Sequence, residues 1–372
     1  MIKVGITGSK GFVGYHLSQT LALYKEEFTV IEFDRNFFEQ SQYLDAFVSS
    51  CDAIVHLAAL NRHNDPELIY ETNIKLVKTL IASLERTNSS PHIIISSSTQ
   101  EQKDNLYGKS KKEGRLLFLE WAVQKAGRFS GLVIPNVFGP FGHPYYNSVV
   151  ATFCYQISRG ETPIIENDSL LSLIYVKELV DEMINLIRKK DDTHEIYMSH
   201  TAQIKVSEIL SLLKYFRASY QDKGEIPDLH NDFEKNLFNT YRCYMDISSY
   251  FPRKFLQHLD NRGAFVELLR SGIPGQTSFS TTLPNITRGN HFHTRKIERF
   301  AVIKGKALIQ LRKIGSDEIH DFYLDGEEPA YVDMPIWYTH NIKNIGEDTL
   351  YTIFWINESF DSNNPDTYFE LV

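Results

Sequence analysis

The sequence has few cysteines, no long apolar runs and no clustered charge of one sign. Its 372 residues hold three cysteines, Cys51, Cys154 and Cys243. They are odd in number and far apart, which excludes a disulfide scaffold. No apolar run approaches the ~20 residues that a membrane span needs. The chain enters a strand-like stretch at Ile2, so no signal peptide is expected. Lysine and arginine form no cluster and the net charge is −8, which disfavours an electrostatic binder of nucleic acid or anionic membrane. There is no internal repeat and no low-complexity tract. Hydrophobic residues make up 42% and charged residues 23%, an ordinary globular composition. At ~150 residues per domain the length implies about two domains. A soluble, reduced, cytoplasmic protein is expected, without nucleic-acid or membrane partners.

Two textures divide the chain. The first part alternates β-branched runs with helical stretches: strands at Ile2–Thr7, Phe28–Asp34, Ala53–Leu57 and His92–Ser97, with helices over Gly11–Lys25 and Ile74–Glu85. Continuously apolar strands separated by helices predict an α/β, Rossmann-like, doubly wound parallel sheet. From Gly263 onward helical periodicity fades. Short alternating runs such as FAVIKGKALIQLRK and TLYTIFWIN follow, separated by turn signals. They predict an all-β barrel or sandwich. The stretch from Ala218 to Pro252 is polar and irregular, which places the domain division at 1–250 and 251–372.

In TGSKGFVG the residues Gly8, Gly11 and Gly14 stand three apart, after a strand and at the start of a helix. That context suits a dinucleotide turn, in which glycines admit a close backbone and the helix N-terminus faces a pyrophosphate. Asp34 ends the next strand, where an acid bonds a ribose 2′-OH and favours NAD. Lys10 and Arg35 pull the other way, since either cation suits the 2′-phosphate of NADP. Tyr107 and Lys111 form Y-x-x-x-K, which puts both side chains on one helix face. An ammonium beside a phenol lowers its pKa, so the Tyr can exchange a proton with a carbonyl or carbinol oxygen. The same pattern is common on solvated helix faces. Here Ser96, Ser97 and Ser98 end the preceding strand and offer a hydroxyl for the same carbonyl.

The second half carries His291, His293 and Glu298 in H-x-H-x4-E, with His340 later in PIWYTHNIKN. Two histidines at i, i+2 point to one face of a strand. With a carboxylate and a third imidazole they make a donor set for a divalent ion such as Zn²⁺. Candidate acid/base groups near this set are Tyr338, His320, Lys304 and Lys306, the two lysines flanking a turn glycine.

With VHLAA (Val55–Ala59), Asn73, PNVFGP and IYVKEL, the first 245 residues resemble the extended short-chain dehydrogenase/reductase family. The resemblance assigns Tyr107 as proton donor, Lys111 as its partner and Ser98 as orienting hydroxyl. It assigns Gly8, Lys10, Gly11, Phe12, Val13, Gly14, Asp34, Arg35, Leu57, Ala58, Asn73 and Lys111 to the cofactor. Only eight residues separate Ser98 from Tyr107, against more than twenty in many relatives, which leaves Ser97, Ser98 and Thr99 open for the hydroxyl role. The H-x-H-x4-E run and its spacing to Gly305 resemble the first cupin motif. The second motif departs at Trp337, where a Gly is usual. The segments Leu259–Gly272 and GQTSFSTTLPNITRGNHFH resemble cupin-class epimerases of 4-keto nucleotide sugars.

Over nearly its full length the chain resembles bifunctional capsular-polysaccharide enzymes. The resemblance rests on SKGFVG, SSSTQ with LYGKSK, NSVVATFCYQISRG, LFNTY, RGNHFH, YTHNI and NPDTYFELV. It implies a cupin that epimerises C3 of a UDP-2-acetamido-2,6-dideoxy-4-hexulose. It implies a reductase that uses NADPH on the C4 ketone to give UDP-2-acetamido-2,6-dideoxy-L-talose, a precursor of UDP-N-acetyl-L-fucosamine. It also implies a homodimer and one zinc ion. The alternatives are an enzyme for another 4-keto nucleotide sugar and a nucleotide-sugar sensor without turnover.

Overall fold

A computed structural model describes residues 1–189, 193–260, 263–271, 274–358 and 360–372. Within the epimerase-like segment Leu259–Gly272, Asn261, Arg262 and Gly272 lie outside the described residues. The chain forms two compact units: Met1–Thr152 with Asp168–Val206, and Phe153–Asn167 with Ser207–Val372.

The strands of the first unit are β1 (Ile2–Thr7), β2 (Phe28–Ile31), β3 (Ala53–His56), β4 (His92–Ser98), β5 (Phe129–Ile134), β6 (Asn136–Phe138), β7 (Leu170–Tyr175), β8 (Thr193–Tyr197) and β9 (Ala202–Lys205). Six of them form one sheet in the order β2-β1-β3-β4-β5-β8, every pair parallel. The crossing at β1/β3 is the switch point where such sheets bind ligands. β3 and β5 are buried at every position, as a sheet covered on both faces requires. The helices that matter for the site are α1 (Phe12–Leu23), α2 (Ser41–Ser50), α3 (Pro66–Thr87) and α4 (Leu106–Lys125). α3 starts eight residues before the apolar periodicity shows it. Asp65 caps it and Pro66 opens it, so its first turn is specified by capping rather than by pattern. The second strand stops at Ile31, short of the predicted Asp34. Asp34 instead caps a 3₁₀ turn over Arg35–Glu39, its side chain accepting the Asn36 amide at 2.9 Å.

The second unit is antiparallel. Its strands are β10 (Arg253–Lys254), β11 (Gln257–Asp260), β12 (Gly263–Val266), β13 (Gln276–Thr282), β14 (Thr287–Phe292), β15 (Glu298–Lys304), β16 (Lys306–Lys313), β17 (Ile319–Asp325), β18 (Ala330–Met334), β19 (Tyr338–Asn344), β20 (Leu350–Ile356) and β21 (Tyr368–Phe369). Ten of them form two five-stranded sheets, β10-β18-β15-β20-β13 and β17-β16-β19-β14-β21, and β11 pairs with β12 in a hairpin of its own. Inward residues of both sheets, among them Val302, Ile309, Leu311, Phe322, Val332 and Ile342, make one apolar core.

The sequence puts the change of fold at residue 250, but packing groups residues 207–250 with the antiparallel half. The stretch that reads as irregular holds a helix, Asp232–Arg242, capped by Asn231. Leu237, Phe238 and Tyr241 are fully buried on it, and its other face is polar enough to hide the periodicity. Tyr220 donates its hydroxyl to Asp333 at 2.6 Å, and Arg242 donates to the Met334 carbonyl at 3.0 Å. Asp333 also takes two bonds from Arg299, at 2.8 and 3.0 Å, while the Arg299 guanidinium lies 3.8 Å from the Tyr331 ring centre. The Arg299 and Asp333 side chains are 4% and 0% exposed. Breaking such a pair from one side leaves a buried, uncompensated charge, at a cost of about 3–5 kcal/mol. Arg299→Met should therefore destabilise the antiparallel unit by about that amount in urea unfolding, and Arg299→Met with Asp333→Leu should recover most of it. A single variant within ~1 kcal/mol of wild type would show that the pair does not hold the unit.

Candidate active site and metal centre

The N-terminal site forms where β1 turns into α1. Gly8 has a left-handed backbone (φ +81°), and a Cβ there would lie 3.0 Å from the Ala58 amide nitrogen. A Cβ on Gly14 would lie 2.2 Å from the Gly8 carbonyl oxygen. The turn therefore needs glycine at both positions, and it packs directly on the Leu57–Ala58 backbone. Gly11 is the N-cap of α1 and no acid stands in the first helical turn. Phe12 and Val13 open that helix, leaving its N-terminal amides and positive dipole end for an anion. Beyond it, Lys10 Nζ is 4.0 Å from Asp34 Oδ2, the two side chains 89% and 46% exposed. Arg35 is exposed beside them. Two exposed cations thus flank the Asp34 carboxylate. Asn73 is buried; its Oδ1 accepts the Leu60 amide at 2.7 Å and its Nδ2 donates to Leu60 O and Ser110 Oγ. Its contribution to a bound cofactor therefore passes through the loop after β3. The residues present fit a dinucleotide.

Tyr107 and Lys111 lie one turn apart on α4. Asn105 caps this helix by accepting the Gly108 amide at 2.7 Å. Lys111 is buried, and burial pulls its pKa down to about 8 against the opposing charge of Glu101. Burial pushes the Tyr107 phenol up to about 12, with Tyr146 adding to the rise. The sequence predicts a phenol lowered by the ammonium. In the structure desolvation, with Tyr146, sets the direction instead. The three hydroxyls left open separate by direction. Ser97 faces inward and donates to Glu101, while Thr99 is exposed. Ser98 points to the opposite side of β4 from Ser97, accepts the Gln100 amide at 3.2 Å and keeps its own proton for a further acceptor.

The second site joins the two antiparallel sheets. His291 on β14 stands opposite His340 on β19, after a bulge between Gly289 and His291. Glu298 opens β15 in the other sheet. The ligand atoms of His291, His293, Glu298 and His340 lie within 4.8 Å of one another. Glu298 Oε2 is 3.1 Å from Nε2 of both His293 and His340. Nδ1 of His293 is 2.5 Å from the Asp366 carbonyl, and Nδ1 of His340 is 3.3 Å from the Tyr338 carbonyl. A carbonyl only accepts, so each Nδ1 carries a proton, and a neutral ring then turns its Nε2 lone pair toward the same carboxylate oxygen. Lone pairs facing one another need a cation or a proton among them. Burial would raise the Glu298 carboxyl, but with a proton there the hydrogen bonds from His293 and His340 outweigh it and hold it well below the usual range. Burial and the neighbouring imidazoles push His291 down to about 4, which leaves a neutral ligand nitrogen at neutral pH. Three imidazoles and one carboxylate, without thiolate, fit a borderline divalent ion.

Among the acid/base candidates, Tyr338 shares the inward face of β19 with His340, two residues on, and stands opposite Lys313. His320 is level with Leu311 on β17 and its Nδ1 is 2.7 Å from Ser248 Oγ. Lys304 and Lys306 are exposed. One contributor went unread in the sequence. Asp366, whose side chain is fully buried, orients His293 through its carbonyl. Its carboxylate accepts the amides of Thr294, Arg295 and Lys296 and the Thr294 hydroxyl. The NPDTYF segment also pairs with the ligand strand, Phe369 opposite His291. Only the tail's likeness to the capsule enzymes marked it. Loss of such an outer partner typically costs 10–100-fold in metal affinity. Asp366→Ala should weaken retention of a divalent ion by about that factor in chelator competition, and unchanged retention would show that the strap does not position His293.

The polysaccharide biosynthesis C-terminal domain model matches residues 258–368, and the NAD-dependent epimerase/dehydratase family model matches residues 4–198. A UDP-2-acetamido-2,6-beta-L-arabino-hexul-4-ose reductase of Pseudomonas aeruginosa is 33% identical over 374 residues, covering 99% of this chain and 98% of its own. The crystal structure of the capsular polysaccharide assembling protein CapF of Staphylococcus aureus matches with a TM-score of 0.64 at 36% identity, covering all of both chains. The spore coat polysaccharide biosynthesis protein SpsL of Bacillus subtilis is 26% identical over 124 residues, 31% of this chain and 82% of that one. The two family matches, the dinucleotide turn with its Tyr and Lys, and similarity from end to end lead to one conclusion: the chain belongs to the NAD-dependent epimerase/dehydratase family, among its CapF-like members.

Proposed function

We propose that the chain is a bifunctional nucleotide-sugar enzyme of capsule or O-antigen synthesis. Its antiparallel unit epimerises C3 of a UDP-2-acetamido-2,6-dideoxy-4-hexulose. Its parallel-sheet unit reduces the C4 ketone with NADPH to UDP-2-acetamido-2,6-dideoxy-L-talose. The observation that carries this reading is one chain that holds both a Tyr-x-x-x-Lys pair on a helix, Tyr107 with Lys111, and a close cluster of His291, His293, Glu298 and His340. The reactions also fit each other chemically. The ketone acidifies the C3 proton, and reduction of that ketone ends further epimerisation.

In the reductase site the nicotinamide, when bound, supplies the hydride. Gly8, Gly11 and Gly14 admit its pyrophosphate to the α1 N-terminus, Phe12 and Val13 lie at that terminus, and Leu57 and Ala58 wall the opposite side. Lys10 and Arg35 hold the 2′-phosphate, which Asp34 disfavours. Tyr107 gives its proton to the C4 oxygen, Lys111 keeps that phenol acidic once substrate displaces water, and Ser98 donates to the same oxygen. In the epimerase site the four ligands hold one zinc ion, which supplies positive charge when bound. Proton removal beside a ketone needs a base more than a redox centre, so the ion organises the site, and Tyr338 exchanges a proton with the substrate. The active form is a homodimer.

Incubation with a UDP-4-keto-6-deoxy-N-acetylhexosamine in D₂O tests both halves at once. Deuterium at C3 reports the epimerase and NADPH loss reports the reductase. Tyr107→Phe should lose NADPH oxidation by at least ~10²-fold, the low end of acid–base contributions, with exchange intact. Loss of both would refute separate sites. Arg35→Ala should raise the KM for NADPH and spare NADH. A wild type with higher kcat/KM for NADH would overturn the assignment of the cations.

A further inference from the structure

Glu101 belongs to none of the motifs, yet it is a buried acid beside Lys111. It lies on the 3₁₀ turn Thr99–Gln102 that leaves β4 just after Ser98. Arg115 holds it bidentately, Nε to Oε1 at 3.0 Å and Nη2 to Oε2 at 2.8 Å, and Ser97 donates its hydroxyl to Oε1. The Glu101 and Arg115 side chains are 5% and 6% exposed. Arg115 also meets Glu195 at 2.8 Å, at a carboxylate that is 39% exposed.

The spacing along α4 gives this pair its meaning. Tyr107, Lys111 and Arg115 recur every four residues and so form one stripe. Glu101 grips the far end of that stripe while its own turn carries on from the Ser98 strand. The connection between strand and helix is short, and a Cβ on Gly108 would lie 2.0 Å from the Gln100 carbonyl oxygen. The helix is thus pressed against the turn at Gly108 and tied to it at Arg115. Among the titratable groups around Lys111, Glu101 from this turn and His56 from β3 interact with it electrostatically, and Tyr107 precedes it by one turn of its own helix. His56 is fully buried and neutral, pushed down to about 3 by burial and by Lys111 itself. Glu101 is the carboxylate whose charge opposes the effect of burial on Lys111.

We propose that Glu101 is a positioning residue of the reductase, tying the Ser98 strand end to the Tyr107–Lys111 stripe through Arg115 and Ser97 and serving as the buried counter-charge of Lys111. The proposal rests on the reductase reading above, but one of its tests does not need turnover.

The experiment compares Glu101→Gln, Glu101→Asp and the pair Glu101→Gln with Arg115→Met in the full chain. An NMR titration of ¹⁵N-labelled Lys111 Nζ should move down by about one unit or more in Glu101→Gln. NADPH turnover should fall about 10–100-fold in kcat, the scale of a misplacement near 1 Å, with sugar KM and NADPH Kd within about two-fold. Lys111 loses its proton as pH rises, so a lower pKa moves the alkaline limb of kcat to lower pH. Glu101→Asp keeps the charge and should recover the Lys111 titration. The double variant removes both buried charges and should regain melting temperature but not kcat. A folded Glu101→Gln with wild-type Lys111 titration would overturn the proposal, as would a double variant that regains kcat along with stability. If wild type turns over no such sugar, the functional reading fails while the Nζ titration still decides the role of Glu101.

Discussion

A carboxylate taken out of water loses several kcal/mol of solvation unless it meets enough donors, and each half of this chain arranges its reactive groups around one such carboxylate. In the parallel-sheet unit it is Glu101, held by Arg115 and Ser97. In the antiparallel unit it is Glu298, shared by His293 and His340 at 3.1 Å from one oxygen. The consequences differ because the partners differ. A guanidinium is permanently charged and planar, so it fixes Glu101 in one orientation and needs nothing else. Neutral imidazoles with protons on Nδ1 offer Glu298 only lone pairs, and that arrangement stays unbalanced until a cation or a proton enters. One carboxylate is thus a fastener and the other half of a receptor.

The elements legible in the sequence are those whose cause is local. Gly8, Gly11 and Gly14 are spaced by the geometry of a turn, Tyr107 and Lys111 by a helical period, and His291 and His293 by a strand period. Each signal sits within a few residues, and the structure brings each set together. The groups that sequence reasoning missed act over distance. Arg115 meets Glu101 across 14 positions, and Asp366 meets Thr294 across 72. Nothing near Glu101 marks it as buried, because a lone Glu in a polar stretch reads as solvated. The helix Asp232–Arg242 was lost for a related reason: its apolar residues are few and large, and an even mix of charge surrounds them.

The cofactor preference shows a different kind of limit. Asp34 and its flanking cations carry opposite chemical implications, and the structure keeps them in balance, with Lys10 at 4.0 Å and mostly exposed. Exposed charges at that range interact weakly, on the order of 1 kcal/mol or less. Neither the carboxylate nor the ammonium therefore dictates the pocket before a ligand arrives. An added 2′-phosphate would draw Lys10 from Asp34 and engage Arg35, because a doubly charged oxyanion outcompetes one carboxylate for the same donors.

The same argument accounts for the unusually short link between Ser98 and Tyr107. A long loop would leave the two hydroxyls free to drift, and catalysis that depends on both reaching one oxygen tolerates little drift. Here a 3₁₀ turn, an Asn105 cap and a glycine with no room for a Cβ set the N-terminal end of α4, while the Glu101–Arg115 pair sets it again two turns further on. Two fixed points define a helix axis where one would leave a hinge. The buried ion pair therefore contributes direction more than stability, and direction is what the proton-donor role proposed for Tyr107 requires.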